Sequence, residues 1–87
     1  MYKAEFESKL KQINGYDIRL AINYNDDCIF SRVDGIFSWK YVPHLVLYFL
    51  GIDNDKYVAC IELEKVESMT IATKEEKLTV IIQMRGL

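Results

Sequence analysis

The chain has 87 residues, of which 51% are hydrophobic and 13% aromatic, with a formal charge of −2. This is enough for one hydrophobic core and too little for two, and too apolar for a disordered chain. Acids and bases are interspersed without a basic stripe, which argues against a dedicated phosphate binder, and no run approaches the ~20 apolar residues of a membrane span.

The first element is a helix from about Tyr2 to Ile13. Tyr2, Phe6, Leu10 and Ile13 recur at spacings of four, four and three and so share one face. Glu5 with Lys9 and Glu7 with Lys11 are i,i+4 pairs in the favourable order, each worth ~0.2–0.5 kcal/mol. Asn14-Gly15 supplies the stop. A helix this short is marginal alone, so its apolar stripe must dock on the sheet formed by the rest of the chain.

Tyr16 to Tyr24 alternates without a fault. Tyr16, Ile18, Leu20, Ile22 and Tyr24 face one way, and Asp17, Arg19, Ala21 and Asn23 the other, as in a half-buried strand. Asn25-Asp26-Asp27 is turn chemistry, so a hairpin is expected there. The second strand runs from about Cys28 to Tyr41 with Gly35 in its middle. Such a glycine marks a bend or bulge, or else Asp34-Gly35 is a tight turn that splits the run in two. The apolar odd positions continue through the glycine, which favours the bend.

Pro43 ends that run. Leu45 to Leu50 is apolar throughout and reads as a strand covered on both faces. Gly51 to Lys56 is a turn, and Tyr57 to Glu64 alternates again. Lys65-Val66-Glu67 reads as a helical turn, Ser68 to Ala72 as a strand, Lys74 to Lys77 as a charged turn and Leu78 to Met84 as the last strand.

This order of elements resembles the Sm-like and SH3-like small barrels, and Ile61 to Ile71 carries the likeness best: strand, helical turn, strand with matching apolar spacing. The resemblance implies a small barrel and, for the Sm-like branch, RNA binding. The sequence departs from that family in three places. The second-strand glycine comes late, at Gly35. Phe37-Ser38-Trp39-Lys40-Tyr41 stands where the base-reading loop would be. Ile61-Glu62-Leu63 replaces the Tyr-Lys-His signature of the bacterial RNA chaperones. The strand Leu78 to Met84 also exceeds the usual five. The expected fold is therefore mainly β (α+β): an N-terminal helix followed by a bent antiparallel sheet or small barrel of five to six strands, in a single domain spanning residues 1–87.

No catalytic or cofactor motif accompanies this architecture. His44 is the sole histidine, so no His-His or His-Cys metal set arises from spacing. Asp53-Asn54-Asp55 begins like a calcium loop, but Val58 and Glu64 occupy the places of its glycine and bidentate glutamate in loop order. It reads as a turn. The charged start Met1-Tyr2-Lys3-Ala4-Glu5 is unlike an apolar signal core, so a cytoplasmic protein with reduced Cys28 and Cys60 is expected.

Two groups suggest contacts. Phe37, Trp39 and Tyr41 fall on the buried parity of their strand, yet so small a domain has limited room for large aromatics. Trp39, Tyr41 and Phe30, with Arg32 and Lys40, are therefore the expected contact residues, since Trp, Tyr and Arg dominate binding hot spots. Glu62 and Glu64 form an acidic edge that protects a strand or docks a basic partner. Together these residues suggest a non-enzymatic protein-interaction module without cofactor or metal. It would act as a small inhibitor or anti-defence protein of the phage or mobile-element type, occluding a partner, and its edge strands offer a route to a homo-oligomer. The alternative is an Sm-like or SH3-like module that binds RNA, single-stranded DNA or a nucleotide through Trp39, Tyr41, Lys40 and Arg32.

Overall fold

A computed structural model describes residues 1–24, 29–53 and 56–85, with the side chains of residues 29–31 and 56 not included. The turn expected at Asn25-Asp26-Asp27, the residue Cys28, and Asn54-Asp55 within the turn expected from Gly51 to Lys56 lie outside the described residues; of that second stretch, Gly51 and Ile52 belong to a strand, as does Lys56.

Helix α1 spans Lys3–Ile13 and is followed by β1 (Asp17–Tyr24), β2 (Ile29–Val42), β3 (Leu47–Ile52) and β4 (Lys56–Ile61). A 3-10 turn at Leu63–Lys65 leads into β5 (Val66–Lys74) and β6 (Lys77–Met84). The fold is mainly β with one helix, as the periodicities imply. The strands form one six-stranded sheet in the order β4-β3-β2-β1-β6-β5, which does not close into a barrel. It is also not purely antiparallel: β6 lies parallel to β1, with Ile18 opposite Leu78 and Tyr24 opposite Met84. Alternation within a strand fixes which face is buried and leaves the direction of its neighbour open, so the sequence pattern could not distinguish the two.

β2 is one continuous strand, which excludes a hairpin at Asp34-Gly35. Its first part, to Ile36, pairs with β1, and from Phe37 onward it pairs with β3. The change of partner, between Ile36 and Phe37, comes just after Gly35, whose φ is 151°. A Cβ built there would collide with Ile52 Cγ2 and lie 2.7 Å from the Asp53 carboxylate oxygens. That close approach lets the Ile36 amide donate to Asp53 Oδ1 and the Asp53 amide donate to the Ile36 carbonyl, both at 2.8 Å.

The bend wraps the sheet around one core. β1 contributes Ile18, Leu20 and Ile22, β3 contributes Tyr48, Leu50 and Ile52, and β6 contributes Val80, Ile82 and Met84. Phe6, Leu10 and Ile13 of α1 are fully buried against them. At ~1.5–3 kcal/mol per buried large apolar side chain, this stripe holds the helix that propensity alone would not. Lys9 does not serve as the partner expected for Glu5; its Nζ donates to the Met69 carbonyl of β5 at 2.7 Å. Ala21, on the face read as solvated, is buried, its cross-strand neighbours being Arg32 and Ile81.

Two other boundaries move. The helical turn falls at Leu63–Lys65, two residues earlier than expected, which takes Glu64 out of the strand. β3 begins at Leu47, because Pro43 starts a turn in which the Leu45 amide donates to the Val42 carbonyl and the Val46 amide to the Pro43 carbonyl, each at 3.2 Å. Leu45 and Val46 are thus exposed at a hairpin tip and not covered on both faces.

Gly35→Ala is expected to destabilise the protein by roughly 3 kcal/mol, since the Cβ has no space and the backbone disfavours a side chain. Urea denaturation of the two proteins measures the loss.

Candidate functional site

The apolar cluster beneath α1 takes in Phe6, Phe37, Tyr48, Trp39 and Tyr41. Tyr48 is buried and sits at its centre. Phe6 packs edge-on to it at 5.0 Å between ring centroids, Tyr41 lies at 4.7 Å and Trp39 at 6.0 Å. The Tyr48 hydroxyl donates to Glu7 Oε2 at 2.5 Å, while Lys3 stands 3.9 Å from the same carboxylate oxygen and 4.1 Å from the centre of the Tyr41 ring. Burial, then the hydrogen bond to Glu7, pushes the Tyr48 hydroxyl well above its ordinary pKa of 10.0.

Trp39 and Tyr41 therefore face inward, half-buried against the core. Lys40, between them in sequence, points to the opposite face and is exposed, as adjacent strand residues must. Arg32 is exposed in the part of β2 that pairs with β1, before the bend. The side chain of Phe30 lies outside the described residues. The structure thus does not bring Trp39, Tyr41, Lys40 and Arg32 together around one point.

The outer face of β2, β1 and β6 carries an ion-pair row. Arg19 Nε donates to Asp34 Oδ1 at 3.2 Å, and Lys77 Nζ lies 3.5 Å from Asp17 and 3.7 Å from Asp34. The Arg19 hydrogen bond, reinforced by the charge of Lys77, holds the Asp34 carboxyl below its usual range against the opposing effect of desolvation. Opposite charges close every contact in this row, and it has the character of a stitched sheet surface.

Glu62 and Glu64, by contrast, do lie in a concave feature. An open groove of about 630 Å³ is lined by Met1, Leu45, Val46, Glu62, Leu63 and Glu64. The β2–β3 hairpin tip forms one wall and the 3-10 turn the other. Leu45 and Val46 are 51% and 60% exposed, so both apolar side chains are presented to solvent. Glu62 pairs with Lys65 at 3.4 Å, and no salt bridge involves Glu64 among the described residues. Val46 has φ of 52°, in the left-handed region, which is an outlier for a β-branched residue and costs roughly 1–3 kcal/mol.

Sequence reading missed the hairpin tip because Leu45 to Leu50 looked like one apolar strand. The available signal was Pro43, which favours the second position of a turn and so places Leu45 at its end. Among the described residues there is no grouping of three metal-ligating side chains and no helix long and apolar enough to cross a membrane. Compared with protein-family models, with curated proteins and with solved structures, the chain finds no match.

Two tests address this geometry. Tyr48 keeps its proton in the folded state at pH values where the unfolded chain loses it. Its contribution is complete below pH 10.0 and declines as the pH rises above that value. Tyr48→Phe is expected to cost about 1.5 kcal/mol near neutrality through loss of a charge-assisted hydrogen bond, and to flatten the alkaline fall in stability. Denaturation curves from pH 7 to 11 measure both effects. Arg19→Gln is expected to raise the Asp34 pKa, as followed by carbon-detected NMR titration of its carboxyl group.

Proposed function

We propose that this protein is a non-enzymatic interaction module of the cytoplasm whose working surface is the groove between the β2–β3 hairpin tip and the 3-10 turn. It acts by covering part of a partner protein, as a small inhibitor does. The observation that carries this reading is Val46: a β-branched side chain, 60% exposed, kept on a left-handed backbone where glycine or asparagine would be cheaper. Strain of this kind at an exposed apolar tip is of no use to the core, and it aims Leu45 and Val46 outward.

The acidic rim selects the partner. Glu62 and Glu64 line the groove together with the apolar Met1, Leu45, Val46 and Leu63, so the matching surface is an apolar side chain accompanied by lysine or arginine. Apolar anchors supply affinity in such contacts, and the rim charges supply orientation and on-rate. An acidic rim also repels phosphate backbones, which ranks a protein partner above a nucleic acid.

Val46→Gly separates folding from binding. It relieves the backbone while deleting the side chain, so it is expected to leave stability unchanged or raise it by up to ~1 kcal/mol. Affinity purification from the source cell, with and without nuclease, reads the partner. The expected result is a protein with a basic, apolar-anchored segment that survives nuclease treatment and is lost with Val46→Gly and with Glu62→Gln/Glu64→Gln. Recovery of nucleic acid, or a partner indifferent to these substitutions, would overturn the reading.

A further inference from the structure

We propose that Glu64 alone receives the partner's cation, an inference that rests on the groove being the working surface. Lys65 holds Glu62 out of that role. The groove therefore takes an apolar side chain with one neighbouring lysine or arginine and gains little from a second. Both carboxylates line the groove, but they stand differently. Glu62 Oε2 lies 3.4 Å from Lys65 Nζ, whereas Glu64 is exposed and no salt bridge involves it among the described residues.

The turn itself makes the Glu62–Lys65 pair. The Lys65 amide donates to the Glu62 carbonyl at 3.0 Å, which brings two side chains three residues apart into reach. The Arg85 amide donates to the Lys65 carbonyl at 2.7 Å and ties the turn to the chain just past β6. Leu63, between the two carboxylates in sequence, packs against the core and holds the turn from the other side. A cation arriving at Glu62 meets Lys65 as well, so attraction to the one is offset by repulsion from the other. At Glu64 no such offset operates. Exposed charge contacts are individually weak and screened by salt, so this difference decides which carboxylate contributes to recognition. Lys65 thus acts as a built-in competitor that fills one of two acidic positions before any partner arrives.

Nitrogen–proton NMR titrations of the full chain test this with three N-acetylated, C-amidated peptides. They are identical except for carrying none, one or two lysines beside a single phenylalanine. Shifts are expected to centre on the amides of Leu45, Val46 and Leu63, and to vanish with Val46→Gly. The first lysine is expected to raise affinity roughly fivefold and the second by less than about twofold. Glu64→Gln should remove the first lysine's gain. Deleting the pair together, Glu62→Gln with Lys65→Gln, should keep it, and Lys65→Gln alone should let the second lysine add about as much as the first. Binding that depends on Val46 but survives Glu64→Gln undiminished, or that the second lysine strengthens as much as the first, overturns the proposal and leaves the groove reading standing. Absence of any Val46-dependent binding overturns the groove reading and this proposal with it. Should the pair variant fail to fold, the three peptides on the unaltered protein and on Glu64→Gln still decide the matter.

Discussion

Everything in this fold depends on the missing side chain at Gly35. With Ile52 Cγ2 standing where a Cβ would need to sit, the end of β3 presses directly on the backbone of β2. Asp53 then locks the contact through two hydrogen bonds to the Ile36 backbone, its carboxylate accepting from the amide and its own amide donating to the carbonyl. One strand thereby serves two neighbours: β1 on one side of the bend and β3 on the other. The curvature turns an otherwise flat, two-sided sheet into a concave one whose inner face a single eleven-residue helix can cover.

The helix is fastened by mixed chemistry. Its apolar stripe supplies most of the free energy, while the Tyr48–Glu7 hydrogen bond and the Lys9–Met69 contact fix its rotation and depth. A tyrosine at the centre of the cluster is well suited to this, because its ring fills the core while its hydroxyl reaches a partly exposed carboxylate. Phe6, Trp39 and Tyr41 pack around that ring. Residue types that would be hot spots on a surface are thus employed inside. The exposed apolar side chains at the groove are the smaller Leu45 and Val46.

Local periodicity carried most of the architecture. The spacing of Phe6, Leu10 and Ile13 and the alternation of Ile18, Leu20 and Ile22 were legible because helices and half-buried strands impose different periods. The ends of both patterns fail: Tyr2 precedes the helix, and Tyr2, Tyr16 and Tyr24 are exposed where the core has run out. The parallel pairing of β1 with β6 was not legible, since it joins residues sixty positions apart (Ile18 and Leu78) and no local pattern encodes it. The groove was half legible. Glu62 and Glu64 stood out as charge, but their apolar companions lie some seventeen residues away and meet them only through the fold. The left-handed backbone of Val46 runs against residue preference, and a preference-based reading is bound to miss it.

The same parallel pairing governs how the molecule comes together in time. Helix, hairpins and bend are local and can form early, but β1 keeps one ladder edge open until the β5–β6 hairpin returns across the whole chain. Such a long-range closure must be reached before its contacts reward it, which places it late and makes it the slow event in folding. Until then Ile18, Leu20 and Ile22 stand on an unfinished edge. The interval before β6 arrives is when the chain is most exposed to aggregation.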